Sequence, residues 1–250
     1  MQQPQKYFYK RLNSTNLRAG KLISKLPVKE PFWIRTDDQF AGRGQGSHTW
    51  ISEPGQNLTG TLGIFPQAFE AARQFDLSKT FALAAAAFLE LFVENIRIKW
   101  PNDLYANDSK IGGMLIETAI LGKFIDHAIF GVGININQVN FQKNIPNPIS
   151  ISSLTGLKYD LQELENLLLE AFLNKYSLIE SGRFEEINSQ YVNKLYRFSE
   201  YVSFKSADGT FSAKIVGVSE YGHLLIETES GMIQSFAYQE IEYVIPGVNS

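Results

Sequence analysis

The stretch RIKWPNDLYANDSKIGGMLIETAILGKFIDHAIFGVGIN, from Arg97 to Asn135, reads as a succession of strands. Residues 97–100 make a short strand, ended by Pro101. Residues 104–106 and 111–116 flank Asn107-Asp108-Ser109-Lys110, a good hairpin turn. Residues 124–134 form a further strand, apolar in its second half and so central in a sheet. Glycine weakens a strand interior, and it often marks the close approach of a ligand or of another backbone. Here Gly112 and Gly113 follow Lys110, and Gly131 and Gly133 precede Asn135. Each pair alone could equally be a bulge or a tight crossing. Lys99 could meet a phosphate, and Asn102 and Asp103 could hold a ribose, a base edge or Mg²⁺. Pro, Asn and Asp are also common turn formers.

Toward the N-terminus, residues 58–65 read as a strand after a Pro54-Gly55 turn, and residues 32–36 as another. Between them, residues 37–49 are polar and glycine-rich with no period of either kind. Such a loop inside a compact domain usually has a function. Its centre is Gly42-Arg43-Gly44-Gln45-Gly46-Ser47, ending at Trp50. Glycines at alternate positions let the backbone approach a ligand, consecutive N–H groups can cradle an anion, and Arg43 adds a permanent charge. The spelling is neither a P-loop nor a dinucleotide fingerprint. Ser14 stands where a helix N-cap would, with Leu17, Leu22, Ile23 and Leu26 roughly periodic behind it and Pro27 after them. The first ten residues lead into or form an edge strand.

Residues 68–93 are helical in pattern, with a break expected near Asp76 and a restart at Ser78. Residues 137–150 form an Asn/Pro-rich loop. Asp160 caps a helix that places Leu161, Leu164, Leu168 and Phe172 on one face and closes at Gly182, and a second helix covers about 184–195. Five short strands then follow at 201–204, 210–217, 223–228, 232–237 and 242–244, the pattern of a small β-barrel. Residues 196–250 hold only three of the 23 basic residues but seven of the 26 acidic ones. The expected division is therefore 1–195 and 196–250.

Composition narrows the chemistry. The 250 residues contain no cysteine, which removes thiol nucleophiles and Cys-ligated metals. His48, His127 and His223 are too scattered for a histidine-rich metal site. The net charge of −3 lacks the basic excess of a nucleic-acid binder. The longest apolar run, 81–89, is too short to span a bilayer, so no membrane partner is expected. The first ten residues have no apolar signal core, and with the missing cysteines this points to the cytoplasm.

The motifs in their order carry a resemblance. Ser14-Thr15-Asn16, Gln39, Gly42-Arg43-Gly44 and Trp50 are followed by Lys99-Trp100-Pro101-Asn102-Asp103, by Lys110-Ile111-Gly112-Gly113-Met114-Leu115-Ile116-Glu117, and by Gly131-Val132-Gly133-Ile134-Asn135. This series closely resembles the biotin–protein ligases, over about residues 10–140 by motif and over the C-terminal strands by pattern. The resemblance implies an α+β, class II synthetase-like fold: a mixed, largely antiparallel sheet with helices, then an SH3-like barrel. It implies ATP-dependent attachment of biotin to a lysine of a biotin carboxyl carrier protein or domain, through biotinyl-5′-AMP, with Mg²⁺ accompanying ATP. Relatives that double as repressors carry a winged helix-turn-helix before the Ser-Thr-Asn motif, and the 13 residues ahead of Ser14 are too few for one. The expectation is a ligase without specific DNA binding, and a homodimer through a sheet edge is compatible with it. Many relatives have an arginine where Gln45 stands.

Residue by residue, the resemblance implies Arg43, Lys99 and Lys110 as the catalytic cations, with Lys110 at the junction of carboxylate and phosphate. Ser14, Thr15, Asn16, Gln39, Arg43, Gly44, Gln45, Lys110, Gly112 and Gly113 are implied for biotin. The neutral groups would meet its ureido ring, and the glycines would bare strand backbone to its tail. Arg43, Trp50, Asn102 and Asn135 are implied for ATP. Among the residues no protein metal ligand is expected. A lipoate or octanoyl ligase shares the fold but lacks the Lys-Trp-Pro-Asn-Asp and Gly-Arg-Gly spellings. A non-catalytic binding protein would need a degenerate loop.

Overall fold

The computed structural model describes residues 1–25, 29–46, 48–143 and 145–244. Leu26, Pro27 and Ser47 lie outside the described residues. The strands are β1 (Gln5–Leu12), β2 (Phe32–Gln39), β3 (Gly42–Arg43), β4 (Thr49–Trp50), β5 (Leu58–Ile64), β6 (Ile96–Lys99), β7 (Asp103–Ala106), β8 (Ser109–Leu121), β9 (Phe124–Ile134), β10 (Tyr201–Ser206), β11 (Gly209–Val218), β12 (Leu224–Thr228), β13 (Ile233–Phe236) and β14 (Ile241–Tyr243). The helices are α1 (Thr15–Ile23), α2 (Gln74–Leu89), α3 (Ile151–Thr155), α4 (Leu161–Glu180) and α5 (Phe184–Asn193).

Seven strands form the main sheet in the order β1-β2-β5-β9-β8-β7-β6. The β1–β2 pairing is parallel and the others are antiparallel, so the mixed, largely antiparallel sheet stands as expected. The strand alternation sorts side chains between its two faces. Phe32 and Ile34 of β2 turn toward α1, with Ala19 and Ile129, and are buried there. Trp33 turns the other way, into the larger core formed with α2, α4 and α5. The Ala84-Ala85-Ala86 run in α2 is wholly buried, because small side chains let the helix lie close to the sheet. Asp160 caps α4 by accepting from the Gln162 and Glu163 N–H groups at 2.7 and 3.1 Å.

Three local expectations are corrected. The long helix does not break near Asp76. A 3₁₀ turn at Ala71–Arg73 leads into α2, Asp76 lies in its first turn, and the helix stops at Leu89. Asp76 stays helical because its side chain accepts from Lys79 at 3.1 Å. Strand β2 continues to Gln39, and residues 37–49 are not without regular structure: β3 and β4 form a short antiparallel ribbon, Gly42 opposite Trp50. The last strand is Ile241–Tyr243.

The C-terminal strands form a second sheet in the order β13-β12-β11-β10-β14, consistent with an SH3-like unit. Among the described residues no ladder closes β13 onto β14. This sheet is joined to the rest by specific contacts. The Trp100 indole N–H donates to the Gly222 carbonyl at 2.8 Å, and the buried cluster runs without interruption from Trp33 to Ile241.

Candidate active site

A cavity of about 690 Å³ opens on the α1 face of the main sheet. The strand period decides which residues form its floor. Gly113 lies opposite Gly133, and Leu115 opposite Gly131, so these four share the cavity face. Gly112 lies opposite Ile134 and falls on the other face. A Cβ on Gly112 would stand 2.9 Å from the Gly133 carbonyl oxygen, so its glycine serves strand packing. Of the residues that the resemblance implies for biotin, Gly112 is the one that does not line the cavity. Gly131 and Gly133 are bare for a different reason: Cβ atoms there would be 2.2 Å from Asn16 Oδ1 and 2.2 Å from the Trp50 indole. The Trp50 ring therefore lies flat on strand β9, with its Nε1 buried and without a partner among the described residues.

One end of the cavity is neutral and polar. Ser14 caps α1, and Thr15 and Asn16 begin it, all three buried. Gln39, at the end of β2, accepts from the Thr15 backbone N–H at 2.8 Å and from its hydroxyl at 3.1 Å. Asn16 is fully engaged: it donates to Glu117 Oε2 at 2.8 Å and to the Leu115 carbonyl at 3.2 Å, and accepts from Thr61 at 2.7 Å. Asn16 thus holds β5, β8 and α1 together beneath this end.

The other end is cationic. Lys110 pairs with Asp103 at 2.6 Å. Lys99 lies over the rings of Tyr105 and Tyr243, at 5.4 and 5.0 Å from their centroids. Burial lowers the Lys99 pKa, Asp103 opposes that shift, and the nearby Lys110 charge adds to it. Arg43, in β3, lies back toward the α1 end: it reaches Glu117 Oε1 at 3.2 Å, the carboxylate whose other oxygen accepts from Asn16, and it is half exposed. Asn102 donates to the Met114 carbonyl, and Asn135 to the Ile149 carbonyl at 2.9 Å, which leaves each side-chain oxygen to accept.

The structure thus brings together Ser14, Thr15, Asn16, Gln39, Arg43, Gly44, Gln45, Trp50, Lys99, Asn102, Lys110, Gly113 and Asn135 around one cavity. Sequence reasoning missed the far wall. Tyr238, Gln239, Glu242 and Tyr243 enter from the C-terminal sheet, and Pro146, Asn147 and Pro148 from the loop after β9. No local motif marks these positions. The single usable sign was that residues 137–150 form a long Asn/Pro-rich loop. Among the described residues no group of three acidic or histidine side chains could hold a metal. Near the cations stand two carboxylates, Asp103, which is paired with Lys110, and Glu242.

Known proteins resemble this chain in sequence and in fold. A biotin–[acetyl-CoA-carboxylase] ligase of Paracoccus denitrificans is 28% identical over 227 residues, covering 88% of this chain and 93% of that protein. A bifunctional ligase/repressor of Escherichia coli is 30% identical over 209 residues, covering 81% of this chain and 63% of that protein. The solved biotin protein ligase of Aquifex aeolicus, in complex with biotin and ATP, superposes with a TM-score of 0.78 at 27% identity, covering 96% of this chain and 99% of that one. The profile of the biotin/lipoate A/B protein ligase family matches residues 8–135, the segment from β1 to the end of β9 that builds the cavity floor, and the chain belongs to that family.

Proposed function

We propose that this chain is an ATP-dependent biotin–protein ligase that works through biotinyl-5′-AMP. The observation that carries this reading is the polarity of one cavity: neutral donors and acceptors at the α1 end with Arg43 beside them, the bare Gly113 backbone in the middle, and Lys99 and Lys110 toward the other end. A ureido ring, an aliphatic tail and a carboxylate present the same sequence of chemistries. In the first half-reaction a biotin carboxylate oxygen bonds the α-phosphorus of ATP and pyrophosphate leaves. An anion attacking a polyanion needs fixed positive charge that counts most in the transition state. Lys110 stands at the junction, Lys99 beside it, and Arg43 enters from the loop. In the second half-reaction the amine of an acceptor lysine bonds the acyl carbon, AMP leaves and the amine gives up a proton.

Ser14, Thr15 and Gln39 receive the ureido group, while Gly113 lets the tail lie against backbone. Asn16 acts mainly by fixing α1 and Glu117. Asn102 and Asn135 accept from the adenine amino group, and Trp50 walls the tail from the nucleotide. Mg²⁺ accompanies ATP and offsets phosphate charge, with Asp103 and Glu242 as the carboxylates within reach. The acceptor is a biotin carboxyl carrier domain, and the C-terminal strands form a second unit from residues 196 onward. The net charge of −3 gives no general attraction to DNA phosphates. Among the described residues no helix is long and apolar enough to cross a membrane.

Biotin-dependent exchange of radiolabelled pyrophosphate into ATP tests the reading directly. Exchange with biotin and not with lipoate or octanoate is expected. Exchange supported by lipoate or octanoate alone would overturn it.

A further inference from the structure

The C-terminal sheet meets the glycine loop at one point. A Cβ on Gly46 would stand 3.0 Å from Gln239 Nε2 and 3.6 Å from the Tyr238 ring, with the Tyr238 hydroxyl at 3.9 Å. Gly46 itself has a left-handed φ of +61°, which suits glycine. Gln239 also has a left-handed φ, +74°, without being glycine. Such a conformation costs energy and persists where surrounding structure imposes it. Here the turn is held by the Ala237 N–H donating to Glu240 at 2.7 Å and by the bridge between Tyr238 and Ile241. The turn aims Gln239 at the loop, and the same segment presses Tyr243 over Lys99. Within the loop, β3 pairs with β4, the Gly44 N–H donates to the His48 carbonyl at 2.8 Å and the His48 N–H to the Gln45 carbonyl at 3.2 Å; outward, Arg43 pairs with Glu117 and Trp50 lies on Gly133.

We propose that Tyr238 and Gln239 are positioning residues that latch the glycine loop at Gly46 and so set how long the acyl-adenylate stays in the site. This rests on the ligase reading. A mixed anhydride is lost to water once it escapes, so the rate at which the loop opens decides how much reaches the acceptor lysine. The latch lies on the loop and not at the reacting atoms, so it governs release more than formation.

Gln239→Gly is the informative variant. It removes the side chain while relieving the left-handed backbone, so the turn keeps its shape. Gln239→Asn, a shorter amide that tolerates this backbone, serves as the second. Two readouts apply. Hydrogen exchange of the amides in 42–50 should quicken in Gln239→Gly without any ligand. Released biotinyl-5′-AMP, divided by the pyrophosphate-exchange rate of the same protein, should rise about twofold, the effect of losing one partly exposed side-chain contact. Gln239→Asn should fall between. Unchanged amide exchange together with an unchanged ratio overturns the latch. Wild-type protein without biotin-dependent exchange would sink the ligase reading, whereas the amide measurement still judges the latch.

Discussion

Lys99, Lys110 and Arg43 are set in three different ways, and they should respond differently to change. Lys110 is tied to Asp103 at 2.6 Å, and Arg43 to Glu117 at 3.2 Å. Removing either cation by Lys110→Ala or Arg43→Ala should slow adenylate formation by about 10²–10³, the loss typical of a group aimed at developing charge. Biotin affinity, measured by calorimetry, should change far less. Lys99 is buried, and its pKa is lowered from the ordinary 10.5 by that burial. The cation is therefore lost at lower pH than for an exposed lysine. Activity should fall as pH rises through the lowered value, and the residual activity of Lys99→Arg should lack that alkaline limb, since arginine stays charged. Stability should move oppositely. The folded pKa lies below the unfolded one, so the burial cost is full below the folded value and is relieved as pH rises toward 10.5. Two of the cations were readable in the sequence because Lys99, Asn102, Asp103 and Lys110 lie within the short run from β6 to the start of β8. Their partners were less so. Glu117 is 74 positions from Arg43, and Gln39 is 24 from Thr15, separations that no local pattern spans.

Strand β9 and its neighbour β8 carry the glycines, and their alternation separates structural from functional positions. Gly131→Ala places a methyl 2.2 Å from Asn16 Oδ1 and so disturbs the bonds to Thr61 and Glu117. Overpacking of this sort costs about 1–3 kcal/mol, to be seen as a lowered melting temperature. Gly113→Ala meets nothing closer than Asp103 at 3.4 Å, an ordinary contact. It should melt like the parent protein and still bind biotin more weakly, because the methyl stands on the cavity floor. Equal melting of Gly131→Ala and the parent would contradict this division. The existence of these strands could be read from their hairpin turn and glycines. The face of each glycine could not, because it depends on register: Gly112 and Gly113 are adjacent in the chain yet on opposite sides of the sheet. The uninterrupted α2 was hidden for another reason. Asp76 looks like a helix breaker until Lys79 and Asn188, the latter from α5, are seen to satisfy its surroundings.

At the scale of the whole molecule the two sheets share one buried cluster, from Trp33 in β2 to Ile241 in β14. Trp100 donates across to Gly222, and Phe75 of α2 lies 2.6 Å from where a Gly222 Cβ would stand. Calorimetry should therefore show a single cooperative unfolding transition. Two separated transitions would mean that these contacts do not couple the sheets. The C-terminal strands themselves were visible from their turns and spacing. Their contribution to the cavity was not, since Tyr238, Gln239 and Tyr243 reach it only through the packing of one sheet against the other.

The Arg43–Glu117 pair makes the protein a competitor of its own ligand. An arginine already resting on a carboxylate must give up that partner before it can serve an incoming anion, so part of every binding event is an exchange of one acid for another. Both side chains are partly exposed, 46% and 38%, so the internal acid is a weak rival. Pairs of this kind contribute up to about 1 kcal/mol, hence up to about fivefold in apparent affinity. Glu117→Gln keeps an oxygen to accept from Asn16 but discharges the rival. It should tighten nucleotide and adenylate binding by a factor within that limit, and added salt should narrow the gap between variant and parent. Weaker adenylate binding by Glu117→Gln, with Asn16 still in place, would show that the carboxylate assists the ligand instead of contesting it.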